Sequence, residues 1–86
     1  MPRICEFYGI AIYMYYQDHE PAHFHAIYGG DEAVVRVHPF RILRGRLSRR
    51  ARALVREWTA HHRAELERDW ELARAQRPLR QIAPLE

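Results

Sequence analysis

The segment from Asp18 to Ala26 concentrates the side chains of this chain that could do chemistry. It contains three of the six histidines, His19, His23 and His25, together with two carboxylates and a proline. Imidazole and carboxylate groups can bind a metal ion or transfer a proton near neutral pH. The sequence therefore predicts that a functional site, if the chain has one, lies in this segment.

The spacing of His23 and His25 allows a metal site. Residues two apart on a β-strand point to the same face of a sheet, so both imidazoles could bind one ion. His19 or Asp18 on the adjoining loop could supply a third ligand, which would leave a coordination position open for water. The H-x-H pattern alone leaves a divalent metal open as a cofactor without favouring it.

A second interpretation needs no metal and makes the segment a site for RNA cleavage. One imidazole would take the proton of a ribose 2′-hydroxyl, another group would protonate the leaving oxygen, and an arginine would stabilise the pentacoordinate phosphate. The candidate catalytic residues are His19, His23, His25, Arg36 and Tyr16. In a third interpretation the histidines bind backbone groups or Asp18 and only fix the loop. The sequence leaves these interpretations open, and with them the question of whether the chain is an enzyme.

Arginines crowd the region between the last predicted strand and the first helical turns. All fourteen basic side chains of the chain are arginine, and the net charge is +3. Positive charge at the start of a helix opposes the helix dipole, so helix stability does not explain this run. We expect an anionic partner here, either nucleic-acid phosphate or an acidic protein. The candidate anion-binding residues are Arg41, Arg44, Arg46, Arg49 and Arg50.

The elements around these residues predict one α+β domain spanning residues 1–86. Strands are expected at about 4–16, 23–28 and 31–38, with a short fourth strand over 40–43 as an option. The first region suits one strand or a pair of strand segments, because Gly9 could mark a bulge or a bend. Ser48 is a good helix N-cap, and apolar residues three or four apart then predict one long helix over about 49–75. A tail follows at 76–86. The expected fold is a two-layer, three- or four-stranded antiparallel sheet packed by one long C-terminal amphipathic helix.

Strand pairing assigns the histidines to a face of the sheet. The Gly29-Gly30 turn places His23 opposite Arg36, and residues directly opposite share a face. Pairing Tyr16 with His23 across the first loop would add Tyr16 to that face and turn Tyr15 toward the helix. Both histidines are then expected to face away from the helix.

The composition also indicates the cellular compartment of the protein. The single cysteine, Cys5, cannot form an internal disulfide, which suits a reducing compartment. No signal peptide and no window long enough to cross a bilayer is visible, so no membrane partner is expected. We expect a cytoplasmic protein.

Several motifs together resemble a known family. They are R-I-C-E-F-Y-G-I-A-I-Y-M-Y at the start, D-H-E-P-A-H-F-H-A, Y-G-G-D-E-A, and P-L-R-Q-I-A-P-L-E at the end. In this order they are similar to the small prokaryotic family called domain of unknown function 4160. The resemblance spans nearly the whole chain and implies no established activity, cofactor or catalytic residue.

The resemblance also implies a genomic setting. Genes of this family tend to lie beside a small gene of the family called domain of unknown function 2442, and the pair resembles a toxin–antitoxin or similar two-component module. The leading hypothesis is therefore a toxin-like component that acts on RNA, with a small protein partner encoded nearby. The alternatives are a non-enzymatic, antitoxin-like protein that binds protein or nucleic acid, and a metal-binding protein. A homo-oligomer also stays open.

Overall fold

A single antiparallel sheet and two helices make up the fold in this computed structural model, which describes residues 2–16 and 18–86. The strands lie in the sheet in their order along the chain. The α+β class is confirmed, whereas the expected number of strands and the single helix are wrong. The elements are β1 (Arg3–Phe7), β2 (Ile10–Tyr13), β3 (His23–Tyr28), β4 (Asp31–Arg36), β5 (Arg41–Gly45), α1 (Arg49–His61) and α2 (Arg63–Arg74).

The region over 4–16, expected as one strand or a pair of strand segments, is a hairpin of two strands. Tyr8 and Gly9 form its turn with φ angles of 49° and 79°. Two consecutive positive φ values are the mark of the tight turns that join antiparallel strands. A tyrosine rarely adopts positive φ, so its side chain gives no turn signal in the sequence. The fourth strand expected over 40–43 exists as β5, and the count rises to five because β1 and β2 are separate.

The region expected as one helix over about 49–75 is broken at His62. Such a helix would be roughly 40 Å long, whereas the longest dimension of the molecule is 33 Å. His62 leaves helical geometry, with φ −123° and ψ 25°, and joins α1 to α2. Just before it, the Thr59 hydroxyl donates to the Val55 carbonyl at 2.7 Å, a bond that often bends helices. The break lets both helices keep their apolar stripes on the sheet.

The core lies between the two helices and one face of the sheet. Trp58 of α1 is fully buried, with its ring 5.3 Å from that of Phe7 and 5.8 Å from that of Phe24. Leu66 and Trp70 continue the buried stripe along α2. Burying these large side chains supplies the main driving force for packing the helical layer on the sheet.

The tail returns to β1, an edge strand of the sheet. The N–H of Ile82 donates to the carbonyl of Ile4 at 2.9 Å, and Ile82 itself is buried. The carbonyl of Ala83 accepts the indole N–H of Trp58 at 2.8 Å. The tail therefore covers backbone groups that an edge strand would otherwise expose.

Asp69 is a buried carboxylate that also holds the tail. Its side chain in α2 is fully buried, and Oδ1 accepts the backbone N–H of Arg80 at 3.0 Å. Oδ2 has no partner among the described residues. Burial raises the pKa of Asp69, although the Arg80 N–H and the charges of Arg68 and Arg80 act in the opposite direction.

This raised pKa predicts a pH dependence of stability. The folded state holds the Asp69 proton to higher pH than the unfolded state does, so the free energy of unfolding falls as pH rises through that window. Asp69→Asn keeps an oxygen for the Arg80 N–H but cannot titrate. We expect the difference in free energy of unfolding, wild type minus variant, to decline from pH 4 toward neutral pH in urea titrations. A difference that stays constant with pH would contradict this.

The register between β3 and β4 agrees with the expectation. His23 pairs with Arg36, and His25 pairs with Val34, across a turn in which Gly29 has a φ of 58°. This turn is short, so it fixes which residues lie opposite one another.

The register between β2 and β3 is shifted by one residue from the expectation. Tyr13 pairs with His25, and Ile12 pairs with Ala26. The shift buries Ile12 and Met14 completely on the helix side. A longer loop joins these strands, so burial of the aliphatic side chains decides the register. Neither helix in the described part of the chain is long and apolar enough to span a membrane.

Candidate functional site

Three of the chemically active side chains converge beside the start of β3. His23 Nε2 lies 2.8 Å from Asp18 Oδ2, and His25 Nε2 lies 4.0 Å from the same oxygen. Each of the three residues offers one ligand atom, and these atoms all lie within 4.8 Å of one another. The loop before β3 thus brings a carboxylate to the two imidazoles that the strand presents.

The other ring nitrogens of the two histidines are held by oxygen atoms. His23 Nδ1 lies 2.7 Å from the carbonyl oxygen of Pro21, and His25 Nδ1 lies 3.2 Å from Glu32 Oε2. Carbonyl and ionised carboxylate oxygens only accept hydrogen bonds, so both Nδ1 atoms carry the proton. In a neutral imidazole the lone pair is then on Nε2. His25 Nε2, 4.0 Å from Asp18 Oδ2, is therefore free to bind a metal ion. His23 Nε2 lies at hydrogen-bond distance from the same oxygen and must donate to it when no metal ion lies between them.

Asp18 is stabilised as a carboxylate. Burial alone would raise its pKa, but the hydrogen bonds from His23 and from the backbone N–H of His19, with the charges of both imidazoles, outweigh that effect. The pKa of Asp18 therefore lies below its ordinary value. The site holds an ionised oxygen ligand over the physiological pH range.

Helix α2 packs on His23, so the expectation that both histidines face away from the helices is wrong for His23. The His23 side chain is only 7% exposed, and its ring lies 5.0 Å from that of Trp70. Glu20, on the same loop as Asp18, accepts from Trp70 Nε1 at 3.4 Å and from Arg74 Nη1 at 2.5 Å. The loop is thus tied to the helical layer on both sides of its proline.

Tyr15 packs against the second histidine. Its ring lies edge-on to that of His25, with the centroids 4.4 Å apart. Burial, followed by the negative charge of Glu32, raises the pKa of Tyr15, so the phenol stays neutral and can donate a hydrogen bond. The His25 side chain is 13% exposed, more open than that of His23.

Two shallow clefts flank the histidines and meet at Val34 and Arg44. One, of about 170 Å³, is lined by residues that include His19, His23 and Arg44. The other is lined by residues that include His25 and Arg44. Val34 pairs with His25 on one side and with Arg44 on the other, so the three lie in one row across the sheet. An arginine therefore stands two strands away from His25 at an open surface.

The predicted site residues differ in how close they come to this centre. His19 lies on the loop with its side chain 92% exposed, its Nδ1 3.3 Å from Asp18 Oδ1 and its ring 6.4 Å from that of His23. Tyr16 is 41% exposed, and the one-residue shift in register gives Tyr15 the contact with His25. Of the two loop residues weighed as a third ligand, Asp18 is the one that the structure groups with both strand histidines.

Arg36 lies opposite His23 in the sheet, as the turn predicts. Its Nε donates to the carbonyl oxygen of Pro39 at 2.9 Å, so part of its guanidinium binds the turn after β4. The five candidate anion-binding arginines are all exposed along β5 and at the start of α1.

Three residues at the site have no catalytic or ligand role assigned from the sequence. Glu32 of β4 pairs with Ile27, which lies two residues after His25 on β3. Glu32 and His25 are therefore diagonal neighbours on adjacent strands, and such residues can touch. The β3–β4 register predicted from the sequence already implied this contact between Glu32 and His25. Tyr15 depended on the register that shifted, and Trp70 lies fifty residues from Glu20 along the chain. No local pattern could have found Trp70.

Comparison with known sequences supports one assignment. A family profile described as Domain of unknown function (DUF4160) matches residues 9–71, a stretch that contains β2 to β5, the histidine segment and most of both helices. Searches of curated proteins and of solved structures gave no significant match. The match covers well over half of the chain and agrees with the resemblance seen in the motifs. The chain belongs to the DUF4160 family.

Proposed function

We propose that Asp18, His23 and His25 form a binding site for one divalent transition metal ion. The observation that carries the proposal is the direction of the ring nitrogens. Each histidine has its Nδ1 held by an oxygen and its Nε2 turned toward the same carboxylate oxygen. Metal-binding histidines in proteins are usually oriented in this way, with the outer nitrogen donating to a carbonyl or a carboxylate.

The distances suit an ion after a small adjustment. A tetrahedral ion with bonds of about 2.0–2.1 Å separates its ligand atoms by roughly 3.3–3.4 Å. The distances from Asp18 Oδ2 to the two Nε2 atoms are 2.8 and 4.0 Å, on either side of that value. The three ligand atoms lie within 4.8 Å of one another, so Asp18 and the histidine rings would all move slightly to reach that separation. Without a cation or an added proton, the Nε2 lone pair of His23 would face a carboxylate.

The type of ligand narrows the choice of metal. Two imidazoles and one carboxylate suit zinc, iron(II) and nickel, and disfavour magnesium or calcium, which prefer oxygen ligands. Three protein ligands leave coordination positions for water or a substrate oxygen, as in catalytic rather than structural sites. Arg44, which lines both flanking clefts, would favour an anionic ligand beside these positions.

The toxin-like activity on RNA, and a small protein partner encoded nearby, stay predictions. The feature that favours activity on RNA is the group of five exposed arginines, of which Arg44 lies beside the proposed metal site. Buried His23, with both ring nitrogens engaged, suits metal binding better than proton transfer to a substrate.

Metal titration tests the proposal. Chelator-stripped protein is titrated with Zn²⁺ by calorimetry and with Co²⁺ by visible absorption. We expect one equivalent to bind, and Asp18→Asn or His25→Gln to lower the affinity by about 100-fold or more, because each removes a direct ligand. Glu32→Gln should lower it about 10- to 100-fold by loosening the His25 ring.

The matched control is His38→Gln, which removes an exposed histidine outside the ligand set. It should leave the affinity unchanged. Circular dichroism checks that every variant is folded. If the wild-type protein binds Zn²⁺ no more tightly than folded His25→Gln does, the metal site does not exist.

A further inference from the structure

Five exposed arginines form a continuous feature of the surface, here called the arginine band. It follows the edge strand β5 and passes through the short connection into the first turn of α1. Every member is exposed. The members are Arg41, Arg44, Arg46, Arg49 and Arg50.

The band has almost no internal charge compensation. Across residues 2–16 and 18–86, Arg46 is the member with a carboxylate within 4 Å, and that contact, to Asp31, is 3.9 Å long. Elsewhere Arg3, Arg63 and Arg74 pair with glutamates at 2.5–3.1 Å, whereas Arg52, Arg68 and Arg77 have no such pair among the described residues. The band differs from these by its density, with five arginines in the ten residues 41–50, although Glu20 and Glu32 line the clefts beside Arg44. Concentrated positive charge raises the local concentration of anions and favours a polyanionic partner.

The charges of Arg49 and Arg50 do not stabilise the helix that they begin. The first turn of α1 has no acidic residue, and Arg49 and Arg50 stand where the helix dipole disfavours positive charge. Ser48 already caps the helix, its hydroxyl accepting the N–H of Ala51 at 3.1 Å. An anionic molecule bound at the start of α1 would offset this unfavourable charge.

The band leads directly to the proposed metal site. Arg44 lines the cleft that contains His23 and also the cleft that contains His25. Val34, only 9% exposed, separates Arg44 from His25 in the sheet and makes an apolar floor between them. A phosphate bound by Arg44 would thus lie beside the open coordination positions.

We infer that the arginine band binds the backbone of a single-stranded nucleic acid and lays one phosphodiester across the metal site. The inference deepens the proposed function and rests on it for the role of the metal. Five residues of β5 extend over about 17 Å, a row along which successive phosphates of one strand can lie. The ring of His19, almost fully exposed in the cleft with Arg44, offers a surface on which an unpaired base can stack.

Binding of labelled oligonucleotides tests the inference. Fluorescence anisotropy is measured on the Zn²⁺-loaded protein with strands of about 12 nucleotides, as RNA, as DNA and as duplex DNA. We expect either single strand to bind more tightly than the duplex. Arg44→Gln/Arg49→Gln should weaken single-strand binding about tenfold or more and reduce the slope of log K against log salt by about 1.4, since each phosphate contact contributes about 0.7.

The matched control is Arg68→Gln/Arg77→Gln, which removes the same charge from exposed positions on and after α2. It should bind as the wild type does. A second readout is the rate at which a chelator extracts Zn²⁺, which bound single strand should slow if it lies across the metal.

Different experimental results would contradict the inferred nucleic-acid binding and the proposed metal site. The inference fails if the band variant binds as tightly as its control, if duplex binds as tightly as single strand, or if poly-glutamate displaces the oligonucleotide at equal charge concentration. Unchanged chelator extraction with the strand bound also contradicts it. None of these results bears on the metal site, which the Zn²⁺ titration tests independently. A protein that binds single strands but no Zn²⁺ contradicts the proposed function instead.

Discussion

Trp70→Ala will destabilise the fold by about 3–5 kcal/mol and weaken metal binding about tenfold or more. The stability loss follows from emptying the space of a tryptophan that is 3% exposed in the core. The loss of affinity has a different cause. The Trp70 ring packs against His23, and its N–H donates to Glu20 on the loop that carries Asp18. Without the ring, two of the three metal ligands lose their support.

Two further variants separate these causes. Trp58→Phe also cuts into the core, but Trp58 bonds to Ala83 and contacts none of the ligands, so stability should fall without a change in metal affinity. Trp70→Phe keeps an aromatic ring beside His23 and removes only the N–H, so both losses should be intermediate. Urea unfolding followed by circular dichroism gives the free energies, and Zn²⁺ titration of the folded protein gives the affinities. Equal metal affinity in Trp70→Ala and Trp58→Phe would show that Trp70 does not position the site.

Gly45→Ala will detach the end of β5 from the sheet and cost more than about 3 kcal/mol. Gly45 has a φ of +76°, which alone costs an alanine about 1–3 kcal/mol. A Cβ atom there would lie 2.0 Å from the carbonyl oxygen of Glu32 and 3.1 Å from the Cα of Ala33. Both neighbours are backbone atoms of β4, so the strands must separate and Arg44 must move.

Gly30→Ala is the matched control for this substitution. Apart from the glycine and its two chain neighbours, no described residue has an atom within 4 Å of the position of its Cβ, and its φ is outside the left-handed range. Its effect on the free energy of unfolding should stay within about 0.5 kcal/mol. We expect Gly45→Ala to weaken oligonucleotide binding strongly and Zn²⁺ binding only slightly, because the ligands lie on β3 and the loop before it. Similar unfolding curves for the two alanine variants would contradict the close approach of β5 to β4.

Neighbouring residues along the chain explain most of what the sequence predicted correctly. The Gly29-Gly30 turn is short enough to fix the β3–β4 register, so the pairing of His23 with Arg36 and of His25 with Val34 followed from it. Ser48 was identified as a helix cap from its type and position, and its hydroxyl does accept from the first turn. The segment that holds the histidines was likewise evident from composition. These features depend on interactions within a few residues.

The remaining features of the site depend on contacts between distant parts of the chain. The loop before β3 sets no register, so burial of Ile12 and Met14 turned Tyr15 toward His25. Packing two apolar stripes on a short sheet broke the predicted helix at His62. That break and the return of α2 placed Trp70 beside His23 and tied down the loop. The sequence alone determined that the Asp18–Ala26 segment holds candidate ligands. Only tertiary packing decided that Asp18, rather than His19, joins the two strand histidines, because the position of a loop carboxylate depends on what anchors the loop.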